Sequence, residues 1–212
     1  MASAIDVVTP RQVYAEYGRS LIIRPAEDED PDAFFDQICA DFENTKIEQD
    51  AEGSVYVMAP TGGESSYQNS ELTMQLRLWA KRDGRGRAFD SSALFILPDR
   101  SRFSPDGAWV SNEKLAALSP AERRKFLRLV PEFVIELKSP SDHLIDLQRK
   151  MGNWMRNGVE LGWLIDPGKR CVYVYTEQTA DVEMTSEESI LGEGSVSGFE
   201  LDLRPIWEGL TL

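Results

Sequence analysis

Two short segments of this chain carry side chains that could hold a cation and compensate negative charge. Glu132–Lys138 (EFVIELK) reads as a strand, and alternation sends Phe133, Ile135 and Leu137 to one face and Val134, Glu136 and Lys138 to the other. The first face is wholly apolar and must meet a core. The second ends in an acid and a base two residues apart. Upstream, Ser104-Pro-Asp-Gly107 sets Asp106 at the head of another strand, residues 108–110. If the two strands are neighbours, Asp106 and Glu136 converge, and two carboxylates in one place repel unless a divalent cation lies between them. A magnesium ion held there can polarise a phosphodiester and acidify its bound water. A nearby lysine can offset the developing charge. An acid-x-lysine triplet alone is a common sequence and decides nothing.

Other chemistries are poorly provided for. The chain has one histidine, His143, and two cysteines, Cys39 and Cys171, with no ligand spacing, which argues against zinc. The cysteines read as reduced, core-filling thiols. Ser139 and Ser141 lie too close in sequence to His143 for a convincing hydrolase set, and neither occupies a nucleophile elbow. The glycine-rich turn Thr61–Ser66 lacks the Lys-Ser/Thr of a phosphate loop and reads as a connection. Any metal site must therefore use carboxylates and carbonyls, which favours Mg2+ or Mn2+.

A chain of 212 residues with 42% hydrophobic and 28% charged residues fits one well-buried core. No apolar run reaches the ~18–20 residues that span a bilayer, so no membrane association is expected. The first residues lack the pattern of a secretory signal, and a cytoplasmic location is expected. The net charge of −13 is unevenly spread: residues 1–60 carry −9, residues 61–160 carry +3 and residues 161–212 carry −7. A polyanion responds to the local field, so the mildly basic centre keeps a nucleic-acid partner open. Arg77, Lys81, Arg82, Arg85 and Arg87 cluster around one turn. They read equally as a solvated helix end or as phosphate contacts.

The positioning elements follow from pattern. Asp30-Pro31 starts a helix whose core stripe is Phe34, Phe35, Ile38, Cys39 and Phe42. Two strands, 46–49 and 54–59, flank the turn Asp50–Gly53. A helix is expected from about Tyr67 to Arg82, and β-rich stretches over 87–89 and 94–97. Ser119–Glu122 is a capping box that should open a short basic helix. Ser141 or Asp142 should cap a helix over 143–157, whose apolar face is Leu144, Leu147, Met151, Trp154 and Met155. Strands 161–165 and 171–175 surround a turn at Asp166–Gly168, and short strands continue to about residue 203. The order implies an α/β fold, a sheet core with helices on its faces. Residues 1–30 read as a lead-in and 31–212 as one domain.

Pro-Asp before one strand and acid-x-lysine on the next resemble the PD-(D/E)XK nuclease signature. More closely, MAPTGGESSYQNSEL, SPDGAWV, PEFVIELKSPSD, LQRKMGNWM and NGVELGWLIDP resemble the Uma-type family of restriction-endonuclease-like proteins, over roughly residues 45–176. The resemblance implies a restriction-endonuclease-like mixed β-sheet core flanked by helices, with additional C-terminal strands. It implies an Mg2+- or Mn2+-dependent endonuclease acting on DNA, with Asp106, Glu136 and the Leu137 carbonyl as metal ligands. Lys138 would be the basic residue; a helix lysine, here Lys150, is nearly always present in the family, and both stay open. Glu71 could supply a third acid, and Glu48 faces the same choice, although a surface position is the expectation for each. A catalytically inactive binding or assembly module with the same fold is the alternative, favoured by the acidic ends. Cutting both strands of a duplex needs two sites, so a homodimer is expected, with Tyr173, Tyr175, Trp207 and Leu210 as interface material.

Overall fold

Asp30 caps the first helix as its sequence implies, its carboxylate accepting from the amides of Asp32 and Ala33 at 2.8 and 3.0 Å. The computed structural model describes residues 13–14, 20–176, 183–185 and 187–211. The elements are β1 (Val13–Tyr14), β2 (Ser20–Ile23), α1 (Pro31–Asp41), β3 (Lys46–Gln49), β4 (Val55–Met58) and the long α2 (Gly63–Asp83). Then come β5 (Gly86–Asp90), β6 (Phe95–Ile96), β7 (Arg102–Phe103), β8 (Gly107–Ser111) and the short α3 (Asn112–Ala117). β9 (Phe133–Leu137), α4 (Leu144–Arg156), β10 (Leu161–Asp166) and β11 (Cys171–Thr176) form the centre. β12 (Glu183–Thr185), β13 (Ser189–Leu191), β14 (Glu200–Asp202) and α5 (Arg204–Glu208) follow.

The strands form two larger sheets, ordered β1-β2-β4-β3-β7-β6 and β12-β11-β10-β9-β8-β5, with β13-β14 as a separate ribbon. β9 and β10 pair in parallel through the α4 crossover, whereas β8 meets β9 antiparallel. The result is the expected mixed α/β core with added C-terminal strands. Three residues, Ser104–Asp106, carry the chain from β7 in the first sheet to β8 in the second. β2, within the first thirty residues, pairs with β4.

β9 is apolar on both faces because both are covered. Phe133, Ile135 and Leu137 pack with Leu72, Leu76 and Trp79 of α2 and with Val196, Phe199 and Leu201 from the C-terminal segment. Val134 packs with Met151 and Trp154 of α4 and with Phe95 and Phe103. A third cluster joins α1 to the first sheet through Phe34, Phe35, Ile38, Val55 and Val57.

Several boundaries differ from sequence expectation for visible reasons. α2 begins at Gly63, not Tyr67, because Ser65 and Gln68 are buried and the Gln68 amide donates to the Ile206 carbonyl at 2.9 Å. The capping box forms, with Ser119 N donating to Glu122 Oε2 at 2.8 Å, but it supports only one 3-10 turn, Glu122–Arg124, which buries no side chain. A helix needs a buried face to extend. His143 occupies the cap position of α4 but its side chain makes no capping bond to the helix, and Asp142 accepts instead from the Ser139 amide at 2.8 Å. α3, β7 and α5 had no distinct sequence pattern.

Gly86 permits the close contact of β5 with β8. A Cβ there would stand 2.3 Å from Trp109 Cζ2 and 2.4 Å from the Val110 carbonyl oxygen, both in rigid surroundings. Overpacking of this kind costs ~1–3 kcal/mol. Gly86→Ala should therefore lower the melting temperature by several degrees, at ~2–4 °C per kcal/mol. Gly63→Ala, whose nearest neighbour is 4.0 Å away, serves as the control in the same calorimetric scan.

Candidate functional site

Because Glu136 shares a face of β9 with Val134, its carboxylate runs beneath α4 instead of into water, and its side chain is only 3% exposed. Lys150 and Trp154 stand one helical turn apart on α4 and both reach it. Lys150 Nζ lies 2.9 Å from Glu136 Oε1, and the Trp154 indole N–H donates to the same oxygen at 2.9 Å. Phe95 and Phe103 pack edge-on and tilted against Trp154, with ring centroids 6.2 and 5.5 Å away, which fixes the indole. Lys150 also donates to Glu48 Oε1 of β3 at 2.9 Å. That oxygen accepts in addition from the Ser104 amide at 2.9 Å. The result is one ammonium held between two buried carboxylates, one from each sheet.

Asp106 sits beside this triad at the seam between the sheets. Its Oδ2 accepts from the Leu137 amide at 2.8 Å. Its Oδ1 faces Asn69 Nδ2 at 3.4 Å and Lys46 Nζ at 3.7 Å. Lys46 also stands 3.9 Å from Glu48 Oε1. Asp106 and Lys46 are the partly exposed members of the group.

Burial pushes the Glu136 carboxyl up to about 7; Lys150 opposes that shift, and the charges of Asp106 and Glu48 add to it. Burial would lower the Lys150 ammonium, but Glu136 and Glu48 outweigh it and raise it well above the ordinary lysine range. The lysine stays charged.

Asp106, Glu136 and Lys150 are thus brought together, with Leu137 between the two acids. Lys138 turns away: its Nζ donates to the Ser139 carbonyl at 3.2 Å. Glu71 is half-buried on α2 beside Tyr67, whose phenol is raised by burial and by the Glu71 carboxylate. Glu48 is not a surface residue; it is buried within the triad. Sequence reasoning missed Lys46 altogether and took Trp154 for core alone. The available signals were the alternation that puts Lys46 and Glu48 on one face of β3 and the four-residue step from Lys150 to Trp154.

The donors suit a hard cation in part. Among the described residues, no three Asp, Glu, His or Cys side chains are grouped to hold a metal by themselves. Mg2+ does not require that, since it commonly takes one or two carboxylates together with water and substrate phosphate. Asn69 Oδ1 is buried without a partner among the described residues, next to Asp106. An orphaned oxygen there suits a cation or its water. Leu137 directs its amide to Asp106, so its main-chain polar groups face that side of β9.

Hollows of about 320 Å3, beside Asp32, Arg100 and Arg128, and about 300 Å3, beside Arg24, Glu29 and Glu52, contain no member of this group. The group is partly exposed to solvent at Asp106 and Lys46. The arginine cluster lies toward the other end of β8, where Arg87 pairs with Val110. Arg85 is engaged there by Asp83 and by the Ser197 carbonyl.

Comparison with known proteins bears on the family and the fold. The chain matches the Uma2 family model, described as "Putative restriction endonuclease", over residues 32–204. It is similar in fold to a crystal structure of a "putative nuclease belonging to DUF820" from Anabaena variabilis, with a TM-score of 0.64 and 22% identity, covering 76% of this chain and 89% of that one. No curated protein matches it.

The triad has a pH signature. A carboxyl whose folded pKa is raised from 4.5 to about 7 holds its proton more tightly when folded, so its contribution is best below pH 4.5 and worsens as pH rises to about 7. Lys150→Met strands two buried carboxylates and should cost ~3–5 kcal/mol at pH 8. Protonation of Glu136 relieves that repulsion, so the melting-temperature gap to the unaltered chain should shrink between pH 8 and pH 5. A gap that stays constant with pH would reject the triad as the origin.

Proposed function

Since this chain belongs to the Uma2 family, we propose that it is a metal-dependent endonuclease that hydrolyses DNA phosphodiesters with water as the nucleophile. The observation that carries this reading is the convergence of Asp106 and Glu136 at a partly open edge, with Lys150 locked onto Glu136. Asp106, Glu136 and the Leu137 carbonyl would hold Mg2+ or Mn2+. When bound, that ion supplies Lewis-acid polarisation of the phosphate and a more acidic water.

The chain's own groups divide the remaining work. Trp154 and Lys150 both engage Glu136 Oε1, which fixes the carboxylate and leaves its second oxygen for a ligand. The Leu137 amide does the same for Asp106 through Oδ2 and leaves Oδ1 toward the opening. Lys150 carries fixed positive charge beneath the site, where a dianionic transition state would gain from it. Lys138 is close in sequence, but its bond to Ser139 makes Lys150 the better-supported basic residue. The basic central segment would meet the nucleic-acid backbone while the acidic ends keep clear of it.

A homodimer remains part of the proposal, because two sites are needed for two strands. Tyr173 packs within the chain's own core, and Tyr175 and Trp207 are packed against it. Leu210, 52% exposed, is the member of that set left on the surface.

The test is incubation of the protein with mixed DNA and RNA, with and without Mg2+ or Mn2+, beside Glu136→Gln. Cleavage should require the metal, favour DNA and fall at least ~100-fold in the variant, on the scale of losing a principal charge-stabilising group. Calorimetry should show metal affinity lost while the variant stays folded. Binding without cutting by the unaltered chain would instead support a nucleic-acid-binding module. Light scattering at micromolar concentration checks assembly: a mass of one chain, 23.9 kDa, would reject the dimer.

A further inference from the structure

Three lysines lie on or beside the elements that carry the site, and each is held differently. Lys150 makes two contacts of 2.9 Å with buried carboxylates and cannot leave without stranding both. Lys138 donates to the Ser139 carbonyl. Lys46 stands 3.7 Å from Asp106 Oδ1 and 3.9 Å from Glu48 Oε1, close enough for charge attraction but beyond a proper hydrogen bond. Its side chain is 30% exposed, against 13% for Lys150.

We propose that Lys46 is a further catalytic residue: a displaceable counter-ion that rests against Asp106 and moves to a non-bridging oxygen of the scissile phosphate when metal and substrate bind. The inference rests on the nuclease reading above. Lys46 occupies the charge position beside Asp106 that a divalent cation would take, and two cations there repel. Strand pairing of β3 with β4 on one side and β7 on the other fixes the backbone, while the four-carbon stem gives the ammonium reach. Its partial exposure gives it a path to a phosphate lying over Asp106. In the reaction the water oxygen forms a bond to phosphorus and the ester P–O bond breaks. The water's proton goes to solvent, and the leaving oxygen takes one from solvent. Lys46 keeps its proton throughout and compensates charge on the phosphate.

Lys46→Met retains the stem and removes the charge, so two measurements should move in opposite directions. Mn2+ affinity of the isolated protein, read by calorimetry, should rise by up to about fivefold, the scale of a part-exposed ion pair. The single-turnover rate on duplex DNA at saturating Mn2+ should fall about a hundredfold, with KM changing less. Lys46→Arg keeps the charge and should restore part of the rate. Thermal unfolding of both variants controls for folding. Cleavage unaffected by Lys46→Met would overturn the inference, and so would weakened metal binding, which would make Lys46 a brace for Asp106. If the unaltered chain neither binds Mn2+ nor cuts, the nuclease reading fails and this inference with it. If it does both and Lys46→Met matches it, this inference alone fails.

Discussion

Everything at the site depends on one ammonium, that of Lys150, held between Glu48 and Glu136. Two carboxylates buried this closely would drive the surrounding elements apart if neither were neutralised, and the lysine alone would be as costly. Together they become tolerable because each also has a hydrogen-bond partner: Ser104 N–H for Glu48 and Trp154 N–H for Glu136. The contact fastens the first sheet, the second sheet and α4 at a single point. Asp106 is then positioned almost passively, since it lies two residues beyond Ser104 and is caught by the Leu137 amide.

This division explains which parts were legible in the sequence. Strand parity assigned the two faces of β9 correctly, and the Pro-Asp segment marked Asp106, because both are local properties. Glu48 was not legible. An acid on a four-residue strand looks solvated until its partner, 102 residues away, is known. Lys138 was the reverse case: parity put it on the face of Glu136, but at a strand end the side chain is free to fold back, and it reached Ser139. α2 began earlier than its glycines suggested because tertiary contacts outweighed propensity. α5 was hidden because its single buried residue, Ile206, sets no period.

The charge distribution makes sense on the same terms. A net charge of −13 is a poor guide to what the site attracts, because its own balance is set by Lys46, Lys150, Glu48, Asp106 and Glu136. The arginine cluster stands about four residues along β8 from Asp106, roughly 14 Å at the rise of a strand. A duplex crossing the site could contact it; a single phosphate could not.

The crossing at Ser104–Asp106 also bears on how the molecule is made. Glu48 comes from β3 in the first sheet and Asp106 is the last residue of that short connection, while Glu136 and Lys150 come from a later β–α unit. No stretch of the chain contains the group, and its closure requires loops of tens of residues to be shut first. Loop closure is an entropic cost met before such contacts return anything, and the apolar clusters, which join residues as far apart as Leu72 and Leu203, meet the same cost. The site and the core are therefore products of one closure of the chain, and the buried charges are desolvated at low cost only when the partner that neutralises them is in place.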